Sequence, residues 1–184
     1  MRKLTTVACL LAVFALVLGS AIAADQATAP KTEKAGVKAS YVGADKCKIC
    51  HQEQHKTWSV TPHAKAFSKL SAEEQKKNEC VPCHSTGTMT DGTFIPNVEC
   101  EACHGPGSEY KSPKIMNKKT WTADPVKSLQ LAKEAGLVIP DEKTCTRCHR
   151  KEGNPNFKPF DFAKNKPLVH FMSGAAEKKP VGGK

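Results

Sequence analysis

Aromatic residues are scarce in this 184-residue chain: two tryptophans, two tyrosines and seven phenylalanines make up 6% of it. So few large rings exclude an extensive side-chain core of the ordinary kind. Long apolar runs are as scarce, and the one at the start, Leu4 to Leu18, follows Arg2 and Lys3 and precedes the small-residue site Ala21-Ile22-Ala23. That order reads as a cleaved secretory signal peptide over 1–23, with the mature chain beginning at Ala24 and no integral membrane segment left after cleavage. Cys9 lies too early in the run for a lipid-attachment site and should leave with the signal. Nucleic-acid recognition motifs are missing, so no nucleic-acid partner is expected of an exported chain. Nothing recurs at a fixed period, which excludes a repeat architecture.

Against this sparse background stand eight further cysteines, arranged in four pairs that share one pattern. Each pair is Cys-x-x-Cys followed at once by histidine: Cys47-Cys50-His51, Cys80-Cys83-His84, Cys100-Cys103-His104 and Cys145-Cys148-His149. The spacing is that of c-type haem attachment, in which two thiols add to the vinyl groups and the adjacent imidazole becomes the proximal iron ligand. Cys80 to Cys103 also fits a zinc ribbon. A ribbon needs no histidine after each pair, however, and four such coincidences have a chance of roughly one in millions. Disulfides explain the histidines no better. The sequence therefore predicts four covalently attached c-type haems with their iron, and no spare thiol.

Export fits this chemistry, because outside the cytoplasm free thiols would otherwise oxidise. A periplasmic or otherwise exported location is expected. After signal removal 184 − 23 = 161 residues remain, about forty per haem, so the haems themselves must serve as the core. The formal charge of +10 falls to +8 without Arg2 and Lys3. Each ferric haem with ionised propionates contributes about one negative charge, which leaves the oxidised protein near +4 and lower on reduction. Such a basic carrier suits redox protein partners with acidic docking surfaces, met by electrostatic steering. The same lysines also serve as an ordinary solvated surface, and the oligomeric state stays open.

Taken in order, residues 24–40 are small, polar and lysine-rich and read as a disordered leader. Asp45 is expected to cap a helix carrying CKICHQEQHKTW, which would put His51 and His55 one turn apart. Pro62 interrupts, and His63 opens a second amphipathic piece, HAKAFSKL. Ser71 and Glu74 form a capping-box pattern. Gly87, Asp91-Gly92 and Pro96 mark a turn-rich segment or small hairpin. The Gly-Pro-Gly after His104 should stop its helix at once. Asp124-Pro125 starts a helix that Gly136 stops, and Pro140-Asp141 restarts one at the fourth site. From Gly153 to Pro167 an irregular segment is expected, and 174–184 read as a disordered tail, leaving 41–173 as the haem domain.

Seven histidines are too few for eight axial positions. Four are proximal, so His55, His63 and His170 are left as distal candidates and at least one haem must be methionine-ligated, unusually ligated or open. His63 follows Pro62 at a helix start, and Ala64 and Ala66 leave room for a macrocycle. His170 lies in the apolar PLVHFM, beside Met172. His55 shares a helix face with His51, so it serves a neighbouring haem or is exposed. Met116 and Met89 are thioether candidates, although a methionine is more often packing. Trp58, Phe67, Trp121, Phe157 and Phe162 read most simply as haem-packing residues.

The segments CKICHQEQHKTWSVTPHAKAF, ECVPCHSTG, VECEACHGPG and TCTRCHR, within residues 41–170, resemble the tetrahaem cytochrome c554 family, which is named for a periplasmic electron carrier. The resemblance implies a mainly α fold with long irregular loops, a small multihaem c-type cytochrome wrapped around four haems. It implies that His51, His84, His104 and His149 are proximal ligands and His63 a distal one. The family pattern has three bis-histidine haems and one five-coordinate haem. It also has a distal histidine about ten residues beyond the third site, where this chain reads SEYKSPKIM, and that departure turns attention to Met116 and His55. The leading functional expectation is an electron carrier between redox partners in a respiratory chain, with no catalytic residue required. The alternatives are a small nitrogen-oxide reductase at an open haem, from which the lysine-ligated Cys-x-x-Cys-Lys site is missing, and a subunit of an extracellular cytochrome filament.

Overall fold

The computed structural model describes residues 39–171. The signal segment, Cys9, residues 24–38 of the leader, Met172 and the tail lie outside them. The described chain is a succession of short helices and single 3-10 turns joined by irregular segments, with one small β-hairpin, in agreement with the mainly α expectation. The helices are α1 (Ala44–Lys48), α2 (Gln52–Trp58), α3 (Val81–His84), α4 (Cys100–His104), α5 (Lys118–Ala123), α6 (Pro125–Glu134), α7 (Glu142–Thr146) and α8 (Phe162–Asn165). At ten residues or fewer, none would be stable alone, so their persistence depends on tertiary contacts.

The first helical stretch differs from expectation. Gly43, at φ +79, and not Asp45, is the N-cap of α1, and it makes no side-chain cap hydrogen bond. The helix ends at Lys48, and His51, at φ −109 and ψ 52, leaves the helical region before α2 begins. The first attachment site and His55 therefore sit on two separate helices. Ser40 is part of the ordered structure: its N–H donates to Ser108 Oγ at 2.9 Å and its carbonyl accepts the Ser108 N–H at 3.1 Å.

Strands β1 (Ser85–Thr88) and β2 (Phe94–Pro96) form the hairpin, in antiparallel register Gly87 to Ile95 and Thr88 to Phe94, with an irregularity between Ser85 and Gly87. Asp91 Oδ1 accepts the Thr93 N–H at 2.9 Å and steadies the connecting turn. The Ser71–Glu74 box is reciprocal, with Ser71 N–H to Glu74 Oε2 at 2.8 Å and Glu74 N–H to Ser71 Oγ at 3.3 Å. It opens only a 3-10 turn, Glu74–Lys76. HAKAFSKL likewise forms two 3-10 turns, His63–Lys65 and Phe67–Lys69.

Helix α6 follows its sequence signals. Asp124 accepts the Lys127 N–H at 2.9 Å, Pro125 is the first helical residue, and Gly136 at φ +99 closes the C-terminus. The Leu137 N–H reaches back to the Ala132 carbonyl at 2.9 Å and the Gly136 N–H to Lys133 at 3.0 Å, a Schellman closure. Asp141 and Thr144 make a reciprocal cap on α7. Two short elements, α5 and α8, lie in segments that carried no helix expectation.

The buried apolar residues among those described are Ala44, Ala66, Ile95, Tyr110 and Ala132, so large side chains contribute little to the interior. Ile49, Val60, Val126 and Leu168 are all more than 60% exposed. Small buried residues and uncovered large ones are what a chain with few aromatics leaves when its polypeptide alone is considered. No helix among the described residues is long and apolar enough to cross a membrane.

Candidate functional site: four Cys-x-x-Cys-His turns

Each motif occupies a single helical turn. The His51 N–H donates to the Cys47 carbonyl at 2.9 Å and the His149 N–H to the Cys145 carbonyl at 3.0 Å. The second motif lies at α3 and the third fills α4. One turn brings residues i, i+3 and i+4 to the same side, so both thiols and the imidazole can meet one macrocycle. Gly105, at φ +78, ends α4 immediately after His104, as the Gly-Pro-Gly anticipated.

Two of the predicted proximal imidazoles are oriented by the backbone. His84 Nδ1 lies 2.7 Å from the Ala66 carbonyl, and His104 Nδ1 lies 3.1 Å from the Val138 carbonyl. A protonated Nδ1 donating to a carbonyl leaves Nε2 as the free lone pair, which is the tautomer a metal ligand requires. His149 is held differently, by the Phe160 ring stacked at 4.6 Å. Burial pushes the pKa values of His63, His104 and His149 below the ordinary range, which favours the neutral, ligating form.

The four turns are also brought to one another. The neighbouring Cys47 thiol pushes Cys100 far up, with burial adding to it, and Cys100 in turn lowers Cys47. Burial pushes Cys148 up to about 12, assisted by neighbouring Cys83. Burial likewise raises Cys103, with Cys145 adding. His51 is close enough to His104 to lower its pKa. Arg147 donates to the Ala102 carbonyl at 2.6 Å and ties the third turn to the fourth. The turns thus stand in the spatial order first, third, fourth, second.

Of the distal candidates, His63 and His170 each lie beside a proximal imidazole, but not one in their own sequence neighbourhood. The His63 ring centroid is 6.0 Å from that of His149, and the His170 centroid is 6.1 Å from that of His104. Two imidazoles on opposite sides of one metal, with bonds of about 2.0–2.1 Å, have centroids roughly 6 Å apart. His170 Nδ1 is 2.8 Å from the Phe171 carbonyl, which again leaves Nε2 free. His55 instead packs on Trp58 of its own helix, with centroids 5.3 Å apart. Met116 is placed by its N–H bond to the Ser112 carbonyl at 2.8 Å, and the Met89 methyl abuts Gly43.

A cavity of about 420 Å³ is lined by both His84 and His149, with Phe157, Lys69 and Lys158 around it. Imidazoles, an aromatic wall and lysines able to meet propionates form a donor set that fits a haem. The other proposed packing residues have local roles: Trp58 Nε1 donates to the Val98 carbonyl at 3.0 Å and Trp121 Nε1 to Ile115 at 2.9 Å. Phe67 meets Phe94 edge-on at 5.2 Å, and Phe162 lies under the Lys166 ammonium. Sequence reasoning missed Phe160, Tyr110 and Glu101. No local signal marks Glu101, because the amides that bury it belong to Val42, Gly43 and Gly107.

The family model described as cytochrome c554 and c-prime matches residues 46–105, the segment holding the first three turns. Cytochrome c-554 of Nitrosomonas europaea is 28% identical over 171 aligned residues, which cover 78% of this chain and 67% of that one. The solved structure of reduced cytochrome c554 from the same organism aligns at 21% identity with a TM-score of 0.49, over 71% of this chain and 78% of that one. Motif and turn geometry agree with this likeness: the chain is similar to cytochrome c554 proteins, and its Cys-x-x-Cys-His turns fit covalent attachment of c-type haem.

Proposed function

We propose that the mature chain is an exported tetrahaem electron carrier that passes electrons between redox partners of a respiratory chain. The observation that carries this reading is the closeness of the four attachment turns: α1 packs on α4, Arg147 of the fourth turn donates to the Ala102 carbonyl of the third, and His84 and His149 line one cavity. Bound haem supplies a one-electron iron couple. The polypeptide supplies attachment, axial nitrogen and local charge. His51, His84, His104 and His149 act as proximal ligands. His63 serves the haem at the fourth turn and His170 the haem at the third, a pairing supported by the 6.0 and 6.1 Å ring separations. The excess of lysine over acidic residues favours partners with acidic faces.

Redox titration of the purified protein tests this reading. Several resolved one-electron steps are expected, whereas a spectrum that does not respond to applied potential contradicts it.

A second reading has its own observation. Among the described residues neither His51 nor His84 has a histidine beside it at the separation seen for the other two. An open position at one of these sites would admit a small nitrogen oxide. High-spin ferric iron in electron paramagnetic resonance, together with turnover of nitric oxide or nitrite, would favour this reductase reading. Wholly low-spin iron would remove it.

A further inference from the structure

The third attachment turn contains a charge that neither haem attachment nor axial ligation uses. Glu101, between Cys100 and Ala102, is 1% exposed and is the largest fully buried side chain among the described residues. Its Oε1 accepts the N–H of Gly107 at 2.6 Å and of Val42 at 3.0 Å, and its Oε2 accepts those of Gly43 at 2.8 Å and Val42 at 3.0 Å. Every partner is a donor, so both oxygens act as acceptors, which is the hydrogen-bonding pattern of an ionised carboxylate. The ion pairs found among the described residues, Lys76–Glu73 and Lys164–Asp161, lie elsewhere. The negative charge is therefore met by peptide dipoles and by no lysine or arginine among the described residues.

The position of this carboxylate joins two haem sites. Val42 and Gly43 directly precede α1, which bears Cys47, while Gly107 closes the Gly-Pro-Gly after His104. At Gly107 an added Cβ would stand 3.0 Å from Glu101 Oε1 and 3.3 Å from Val42 Cγ2, so the contact leaves no slack. Glu101 also acts electrostatically on Cys47 and on the buried Tyr110. Nearby Glu99 accepts the Ala44 N–H at 2.8 Å, and burial, with Glu101 adding, pushes its carboxyl up.

We propose that Glu101 is a positioning and potential-setting residue: its carboxylate fastens the first attachment turn to the third and holds down the reduction potentials of the haems attached there. The proposal rests on the haem loading assigned to those turns above. Placing an electron beside a fixed buried anion is unfavourable. A unit charge at about 10 Å, through an effective dielectric of about 20, shifts such an equilibrium by roughly tenfold.

The test is Glu101→Gln in the mature, haem-loaded protein, with haem counted by intact mass and site potentials followed by spectroelectrochemistry and paramagnetic nuclear magnetic resonance. With four haems retained, the ferric-to-ferrous ratio at the first and third sites should fall about tenfold at fixed potential, or about 59 mV for a one-electron couple. The second and fourth sites should stay within a small fraction of that. Glu101→Asp keeps the charge and should restore most of the shift, whereas a purely structural role would make the two variants alike. A fully loaded glutamine variant with unmoved potentials overturns the proposal. Should that variant fail to load haem, the wild-type protein labelled with 13C at its glutamate carboxyls still decides. Its reduced-minus-oxidised infrared difference should contain a shifted carboxylate band, and a silent carboxylate region overturns the proposal. Wild-type protein without haem would instead overturn the carrier reading.

Discussion

Replacing Gly105 by alanine adds one methyl group where the backbone has two reasons to refuse it. Gly105 lies at φ +78 and ψ 167, a region that residues other than glycine enter at a cost of about 1–3 kcal/mol. The new Cβ would also stand 2.8 Å from the Gly136 carbonyl oxygen and 3.2 Å from Val138 Cγ2. Neither neighbour is free to retreat. Gly136 closes α6 in its own left-handed conformation, and Val138 exchanges two bonds with His104, its N–H to the His104 carbonyl at 2.9 Å and its carbonyl to Nδ1 at 3.1 Å. Overpacking of this kind adds about 1–3 kcal/mol. The sum of roughly 2–6 kcal/mol is a large part of a typical domain stability of about 5–15 kcal/mol, and corresponds to a fall in Tm of roughly 5–20 °C. Gly92→Ala is the matched control, because Gly92 has φ +87 but nothing within 4 Å of its would-be Cβ. Strain alone should lower its Tm by several degrees fewer. Circular dichroism melts of the two haem-loaded variants make the comparison, with the absorption spectrum of the third-site haem as a second readout. If Gly105→Ala melts with Gly92→Ala, the packing of the His104 turn against Gly136 and Val138 has been misread.

Other expectations follow from the same geometry. His63→Ala and His170→Ala should each convert one low-spin haem to high spin in electron paramagnetic resonance, at the fourth and third turns respectively, and added imidazole should reverse the change; an unchanged spectrum contradicts the 6.0 and 6.1 Å pairings. Thr144 holds the Asp141 carboxyl below its usual value through backbone and side-chain hydrogen bonds. A depressed carboxyl stabilises the fold above its unfolded pKa of about 3.9 and loses that effect as pH falls through the lower folded value. Protection of the Thr144 amide from hydrogen exchange should accordingly persist at pH 5 and vanish only below about pH 4, with Asp141→Ala removing the pH dependence. Electron exchange with an acidic partner protein should slow steeply as ionic strength rises, whereas exchange with an uncharged small mediator should not; equal salt responses would refute steering.

The attachment motifs were legible as letters, because covalent attachment demands one fixed spacing, and the structure folds them into short turns. Strong local punctuation was legible too. Asp124-Pro125 and Gly136 bound α6, Asp91-Gly92 turns the hairpin, and Gly105 stops α4, since each residue type acts through its own backbone preference. The break at His51 was not legible. No glycine or proline marks it, and the hydrogen bond from His55 N–H to the His51 carbonyl, at 2.9 Å, keeps the helical spacing while the residue itself departs from helical angles. Glu101 was hidden for a different reason. A glutamate in a helical turn ordinarily faces water, and what buries it are amides 58, 59 and 6 residues away. The placement of His63 beside His149, and of His104 beside His170, depends on the same long-range information, because each pair joins distant parts of the chain.

The most direct measurement is the intact mass of the processed, purified protein. Export and haem loading at every turn require the polypeptide from Ala24 onwards plus four haem increments, with no free thiol open to alkylation. A mass equal to the bare polypeptide, or to polypeptide plus zinc, would contradict the assignment of all four Cys-x-x-Cys-His turns.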